Sequence, residues 1–560
     1  MSQSKYDAAS SVDVEKQISK DDKARQDEDA IEAVSIKVSS NKIQEVLDTK
    51  EGPQGPPYTT FSESEKIFTV IIASFAALIS PISGSIYYPA LNPLAADLRV
   101  EVSTINLTIT VYMIFQGLAP TFIGSISDKN GRRPAYLICF VLYLSANIGL
   151  ALQTSYPALV CLRCLQSVGS SGTVALGSGT AADLVTRAER GKYIGYASMG
   201  VTLGPALGPV IGGLLTEFLG WRSIFWFLTI LCGTMLVITV IAFPETSRSV
   251  VGDGSIPPQK WNVPLTRLIQ QRRSRKSHEE RNNQTITHPR RRPNPLEALY
   301  LACHKETGMI LIFSALMYAG FFGILSSLPS QLQRRYNFNS LQIGLCYLPY
   351  GFGSLTSRWT VGTLTDWNFR RHAQRLGIPI VKNRQQRLQD FPIEVARLQI
   401  VLPMVYLGCV SVLIFGWVMH YRTNLAGPLI TLFFTGNTVT GAFSGLNTLV
   451  IDINVQTPAT ATAASNLFRC LFGAGAVAAA VPLIDRVGMG WTGTFITALW
   501  LVLSPMLWCV KWYGKGWRDQ KATRDEKKGN VGKEKINSDV QNVRVEPQHV
   551  GDEKDSAQRH

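Results

Sequence analysis

Three arginines stand inside long stretches that otherwise carry no charge: Arg163 in RCLQSVGSSG, Arg358 in LTSRW and Arg469 in NLFRC. A guanidinium in apolar surroundings costs roughly 3 kcal/mol, so a chain keeps one there to hold an anion, a carbonyl or a coupled charge. Gln166, Gly169 and Gly172 follow Arg163 at intervals of three, which sets an amide and two small residues on its helical face. Acids are missing from the same stretches. The nearest are Asp128, Asp183, Glu217, Glu245, Asp452 and Asp485, all at stretch ends, so a proton would have to bind near an end or ride on a ligand. Cations without acids favour neutral or anionic organic ligands over permanent cations.

The elements that must position these residues are membrane spans. Twelve runs, almost uncharged apart from those three arginines, recur along the 560 residues, at about 67–91, 104–126, 135–152, 158–182, 193–216, 223–243, 308–328, 343–364, 400–419, 426–451, 460–484 and 492–512. Each is about long enough to cross 30 Å of hydrocarbon as a helix. Lys129, Arg132, Arg133, Arg187, Arg190, Lys192, the basic 248–307 segment and 370–397 fall on one side, which places both termini in the cytosol. That bias accounts for the net charge of +15 without nucleic acid, and RRSRK and PRRRP fit anionic lipid headgroups. Five segments result: a cytosolic tail over 1–60, a six-helix bundle over 61–246, a basic linker over 247–307, a second bundle over 308–514 and a tail over 515–560. The tails, charged and poor in aromatics, are expected to be disordered. The nine cysteines show no metal-ligand spacing and read as free thiols.

Two patterns refine this picture. Gly200, Gly204, Gly208 and Gly212 fall four apart in GVTLGPALGPVIGG, one smooth helical face, with Pro205 and Pro209 adding a bend; the reading is a hinge at a moving seam. An internal repeat follows spans two and eight. Gly124, Asp128, Arg132 and Arg133 recur as Gly362, Asp366, Arg370 and Arg371 at identical spacing, with Phe369 where Gly131 stands. Two parallel six-helix repeats are implied, each with a breakable clasp at that end.

GPALGPVIGG resembles the antiporter motif in the fifth helix of major facilitator superfamily exporters, in particular the twelve-helix drug:proton antiporters of fungi. GSISDKNGRR is similar to the superfamily's signature loop, and YYPALNPLAADL, PET, DFPIEVARL and PATATAASNLFRC resemble quinidine-resistance-type exporters and their organic-acid-exporting relatives. The resemblance implies an all-α membrane fold of twelve helices that exports drugs or small organic metabolites against protons by alternating access. It also implies that Asp128 and Arg132 latch the halves when the protein faces outward, and that Arg163 takes part in proton coupling, with Asp128 and Asp183 the candidate carriers. Spans one, four, seven and ten would line the cavity, giving Tyr87, Gln166, Tyr318, Phe322, Phe434 and Asn437, with Arg469 added. Small molecules, protons and lipid are the expected partners of a monomer in the plasma or vacuolar membrane, with no cofactor. An uptake symporter, an organic-anion facilitator and a sensor that has lost transport stay open as rivals. GMGWTG at 488–493 joins two spans with no strand before it, which argues against a dinucleotide site.

Overall fold

Twelve long helical segments account for nearly all the residues described by this computed structural model, namely 59–185, 193, 199–256, 258–266, 268, 296–377, 391–421, 423–454, 457–520 and 523. The expected N-terminal tail up to residue 58, most of the basic linker and of the C-terminal tail, and Arg187, Arg190 and Lys192 lie outside the described residues. The helices are α1 (Glu63–Ser85), α2 (Val102–Asn130), α3 (Arg132–Leu152), α4 (Tyr156–Leu184), α5 (Met199–Leu219), α6 (Arg222–Ile241), α7 (Lys305–Tyr336), α8 (Leu348–Arg375), α9 (Ile393–His420), α10 (Ala426–Ile453) and α11 (Pro458–Leu503). Helix α1 opens on a capping box: Ser62 Oγ accepts from Glu65 N, and Glu65 returns a carboxylate oxygen to Ser62 N. Its span continues through a 3-10 turn at Tyr88–Ala90 into Leu91–Leu98.

Among the described residues, nine helical stretches are long and apolar enough to cross a membrane, against twelve runs in the sequence. Local chemistry explains the difference. The apolar part of α5, Leu203–Leu219, is short, and α8 is diluted by Arg358, Asp366, Arg370 and Arg371. Runs eleven and twelve merge into one stretch, 460–520, divided at Gly488, where φ is 83° and ψ 164°. Only glycine takes that backbone without strain, and Gly490 and Gly493 beyond it pack against Trp417 and Gly416 of α9. GMGWTG is thus the corner between two spans.

Packing repeats every six spans. Helix α1 lies on α5 as α7 lies on the arm of α11 before Gly488; α2 lies on α4 as α8 lies on α10; α3 touches α4 and α6 as α9 touches α10 and the arm after Gly488. Lipid-facing positions carry Phe122, Phe218, Ile230 and Val502, all strongly exposed, as an apolar solvent requires.

The glycine face of α5 does not meet the partner the sequence suggested. Side chains at Gly200, Gly204, Gly208 and Gly212 would strike Ser74, Pro81, Ser85 and Ile86 of the α1 span, inside the same half, and Ser85 Oγ donates to the Gly204 carbonyl at 3.0 Å. A different face of α5 crosses to the other half. Ala206 packs on Gly351, Pro209 on Gly344, and Gly213 on Ser340 and Gly344. The reason is geometric: spacing by four defines a face but not its neighbour.

Contacts between halves are unequal along the bundle. At the end remote from Asp128, the rings of Tyr88 and Tyr347 stack at 5.7 Å, Asn92 Nδ2 donates to the Pro329 carbonyl at 3.3 Å, and Ser340 N donates to Glu217 Oε2 at 3.1 Å. Further along, Asn466 Nδ2 of α11 donates to the Gln116 carbonyl of α2 at 3.1 Å. At the Asp128 end, a side chain added at Gly124 or Gly362 would meet nothing within 4 Å. One end is sealed, and at the clasp end these two glycines meet no neighbour among the described residues. Gly204→Ala should deplete folded protein, because its methyl would meet Ile82 N and Pro81 Cβ at 2.8 Å. Gly213→Ala, 2.6 Å from the Ser340 carbonyl oxygen, should keep the fold and part the sealed end. Labelling of buried Cys346 by a membrane-impermeant thiol reagent, in a Cys161→Ser background, should rise; unchanged labelling would show that this contact does not close that end.

Candidate functional site

One carboxylate organises the turn between α2 and α3. Gly131 adopts φ 109° and ψ 163°, and any side chain there would collide with Glu245. Glu245, from the PET sequence after α6, accepts at Oε1 from the amides of Arg132 (2.7 Å), Thr246 (3.1 Å) and Ser247 (2.9 Å). Its Oε2 accepts from Arg133 N (3.1 Å) and Asn262 Nδ2 (2.8 Å). At 2% exposure this anion would be costly to bury, but five donors and the positive end of α3 offset the lost water.

Arg132 reaches the other way. Its Nε donates to Asp183 Oδ2 on α4 at 2.8 Å, and its Nη1 donates to Asp128 Oδ1 (2.9 Å) and Ser127 Oγ (2.8 Å) on α2. Arg133 Nη2 donates to the Val240 carbonyl of α6 at 3.1 Å. These clasp partners belong to the first half. With the far end sealed, the groups that the resemblance assigns to an inter-half latch are engaged within one half.

The second copy is wired differently, which corrects the expectation drawn from the repeat. Arg370 and Arg371 are exposed, Arg371 lies 5.4 Å over the Trp367 ring, and neither pairs with a carboxylate among the described residues. Asp366 is instead approached by Arg397 Nη1 at 3.8 Å, and Arg397 Nε donates to Asp452 Oδ2 at 3.0 Å. Phe369 supplies the reason. Gly131 breaks the chain so that Arg132 opens a new helix, whereas α8 runs on through Phe369 to Arg375 and keeps both arginines on itself. An arginine at the start of α9 fills the place, joining α8 to α10 as Arg132 joins α2 to α4.

Two guanidiniums sit deeper. Arg163 is 0% exposed, with Cζ 4.2 Å from the Tyr87 ring centre and 4.4 Å from that of Tyr112. Its Nη1 donates to Gln166 Oε1 at 2.5 Å, and Gln166 Nε2 donates to Asn147 Oδ1 at 2.7 Å. Nε and Nη2 have no partner among the described residues. Arg469 has a parallel setting: Nη2 donates to Asn466 Oδ1 at 2.5 Å, Cζ lies 5.0 Å from Tyr318 and 5.5 Å from Phe443, and Nε has no partner. Each cation is held by an amide one turn away and two aromatic rings, with no paired carboxylate among the described residues. Such a setting accepts an anion.

The expected cavity residues therefore divide. Tyr87 and Gln166 are sealed around Arg163; Tyr318 and Phe322, stacked at 4.0 Å, gather at Arg469. Asn437 spends its amide on the Gly353 carbonyl (3.3 Å) and Thr356 Oγ1 (2.9 Å) of α8, while Phe434 is 52% exposed against Phe433. Arg163 and Asp183 stand twenty residues apart on α4, about 30 Å along a helix, so they do not touch. Arg358 is exposed on α8. Arg397, Tyr112, Asn147, Phe443 and Asn466 were not singled out by sequence reasoning and Glu245 was noted only as an acid at a span end, although PET, DFPIEVARL and NLFRC contain three of these six.

Two six-span repeats and an apolar outer belt define a multi-pass membrane protein. Residues 73–479 match the Major Facilitator Superfamily, and the chain belongs to that family. An MFS-type transporter of Phoma sp. is 46% identical over 85% of this chain and 90% of its own length. Citrate exporter 1 of Aspergillus niger is 36% identical over 86% of this chain and 92% of its own. The fold is shared with a partially occluded inward open conformation of the xylose transporter XylE from E. coli, with TM-score 0.55, 14% identity, and coverage of 80% of this chain and 98% of that one. The chain is thus a transporter rather than an enzyme.

The rewired clasp has a direct test. Arg397→Gln should leave Asp452 and Asp366 without their cation and lower the apparent melting temperature of the purified protein, on the scale of about 3 kcal/mol for a broken, mostly buried pair. Arg370→Gln should change it little; the reverse order would restore the pairing expected from the repeat. Glu245→Gln, which turns an acceptor into a donor against backbone amides, should be destabilising by roughly 2 kcal/mol in the same assay.

Proposed function

We propose that the chain exports neutral or anionic small organic compounds, drugs or metabolites, in exchange for protons, its halves over 61–246 and 308–514 rocking about a central site. The observation that carries this reading is the unequal seam, closed at Tyr88, Tyr347, Gly213 and Ser340 and uncovered at Gly124 and Gly362. With both termini cytosolic, that state opens to the cytosol, where an exporter loads. The alternate state would close the clasp end. A relative named as a citrate exporter supports both an outward direction and an anionic cargo.

Proton exchange follows from charge. A fixed cation at Arg163, sealed among Tyr87, Tyr112 and Gln166, opposes the approach of a further positive charge and favours an anion. Substrate and proton would then occupy the protein in turn, with the proton carried at Asp128 or Asp183.

Small molecules measured inside cells and in the medium, with and without the gene, test the direction. A compound that accumulates inside on deletion supports export; one left in the medium points to uptake by a symporter of the same fold. In vesicles loaded with that compound, Arg163→Lys should slow efflux driven by a pH gradient more than exchange driven by substrate alone. Equal effects would remove Arg163 from coupling.

A further inference from the structure

The two unpaired guanidiniums differ in access. Arg163 is closed off completely, and so are Tyr87, Tyr112 and Gln166 around it. Arg469 is partly exposed, and so are Tyr318, Phe322, Phe443 and Asn466. A ligand can reach only the second set in this state. Its cation sits near the middle of the arm of α11 before Gly488 and is charged at every physiological pH, so burial without a counter-ion leaves an unmet demand for an anion.

Asn466 sets the direction of that demand. It holds Nη2 at 2.5 Å, while Nε, enclosed by protein, has no hydrogen-bond partner among the described residues. The rings of Tyr318 and Phe443 stand at 5.0 and 5.5 Å from Cζ, and Phe322 extends the aromatic surface by stacking on Tyr318. We propose that the guanidinium of Arg469 anchors a carboxylate of the transported compound, while Tyr318, Phe322 and Phe443 take a flat or apolar portion beside it. The choice of a transported organic acid rests on the transporter reading above; the anion site itself rests on the geometry.

The same group links the ligand to the seam. Asn466 donates its Nδ2 to the Gln116 carbonyl of α2 while its Oδ1 restrains Arg469, so Arg469, Asn466 and Gln116 form a polar chain that crosses between the halves. A carboxylate that draws the guanidinium toward itself weakens the hold on Asn466 and thereby loosens a contact between α2 and α11. Binding and rocking share one side chain.

The test uses the purified full-length protein, with benzoate and citrate as carboxylate probes and benzamide as the uncharged comparator, read by saturable thermal stabilisation. Wild type should be stabilised by at least one carboxylate and not by benzamide at equal concentration. Arg469→Gln should weaken that carboxylate by about 30-fold or more, as expected when one member of a desolvated charge pair is removed. Arg469→Lys should retain part of the affinity, and Arg370→Gln, at an exposed arginine far from the site, nearly all of it. If the glutamine variant does not fold, Tyr318→Leu replaces it and should weaken benzoate more than citrate. Carboxylate binding that survives in Arg469→Gln, that is lost equally in Arg370→Gln, or that is absent from wild type overturns the proposal. None of these results touches the cellular measurement of direction, which needs no knowledge of the site.

Discussion

A charge taken into hydrocarbon must find its compensation inside the protein or wait for a ligand to bring it, and this chain does both. Its spans hold no interior acid. Carboxylates stand at the ends, where Asp128, Asp183, Asp366 and Asp452 meet Arg132 and Arg397 across helices and Glu245 meets five donors. The deep arginines are left with amides and aromatic rings. Separation of paired charges at the ends from unpaired cations in the middle decides where the halves are rigid and where a ligand can matter.

Rigidity at the ends is what lets each half act as a body. Arg132 ties α2, α3 and α4, Glu245 ties the chain after α6 to the start of α3, and the glycine face of α5 locks that helix against α1 backbone to backbone. The seam between halves is made of different material: small residues at Ala206, Gly213, Gly344 and Gly351, one stacked tyrosine pair and single hydrogen bonds. Surfaces of that kind separate at modest cost, whereas ion pairs inside a half do not.

Spans, repeat and first clasp were readable from sequence because each leaves a local mark: an uncharged run, a fixed spacing, a glycine followed by two arginines. What could not be read depends on which helix lies opposite. Spacing by four put Gly200 to Gly212 on one face, but α1 rather than the other half covers it. Arg397 escaped because the repeat was aligned by spacing within α8, whereas its partner comes from the next helix. Tyr87 and Gln166 were assigned by span number to a shared cavity, yet both pack on Arg163 and are closed off from open space.

Moving the clasp arginine from α8 to α9 has a consequence for the connector between them. In the first half Arg132 follows Gly131 directly, so a change in length between Asp128 and Arg132 would pull the ion pair apart. In the second half Asp366 and Arg397 sit on separate helices, each positioned by its own bundle contacts. The two hairpins, alike in ancestry of pattern, thus differ in tolerance: one has a fixed length, while the other is the place where extra sequence, a tag or a reporter domain can be accommodated without unfastening the bundle.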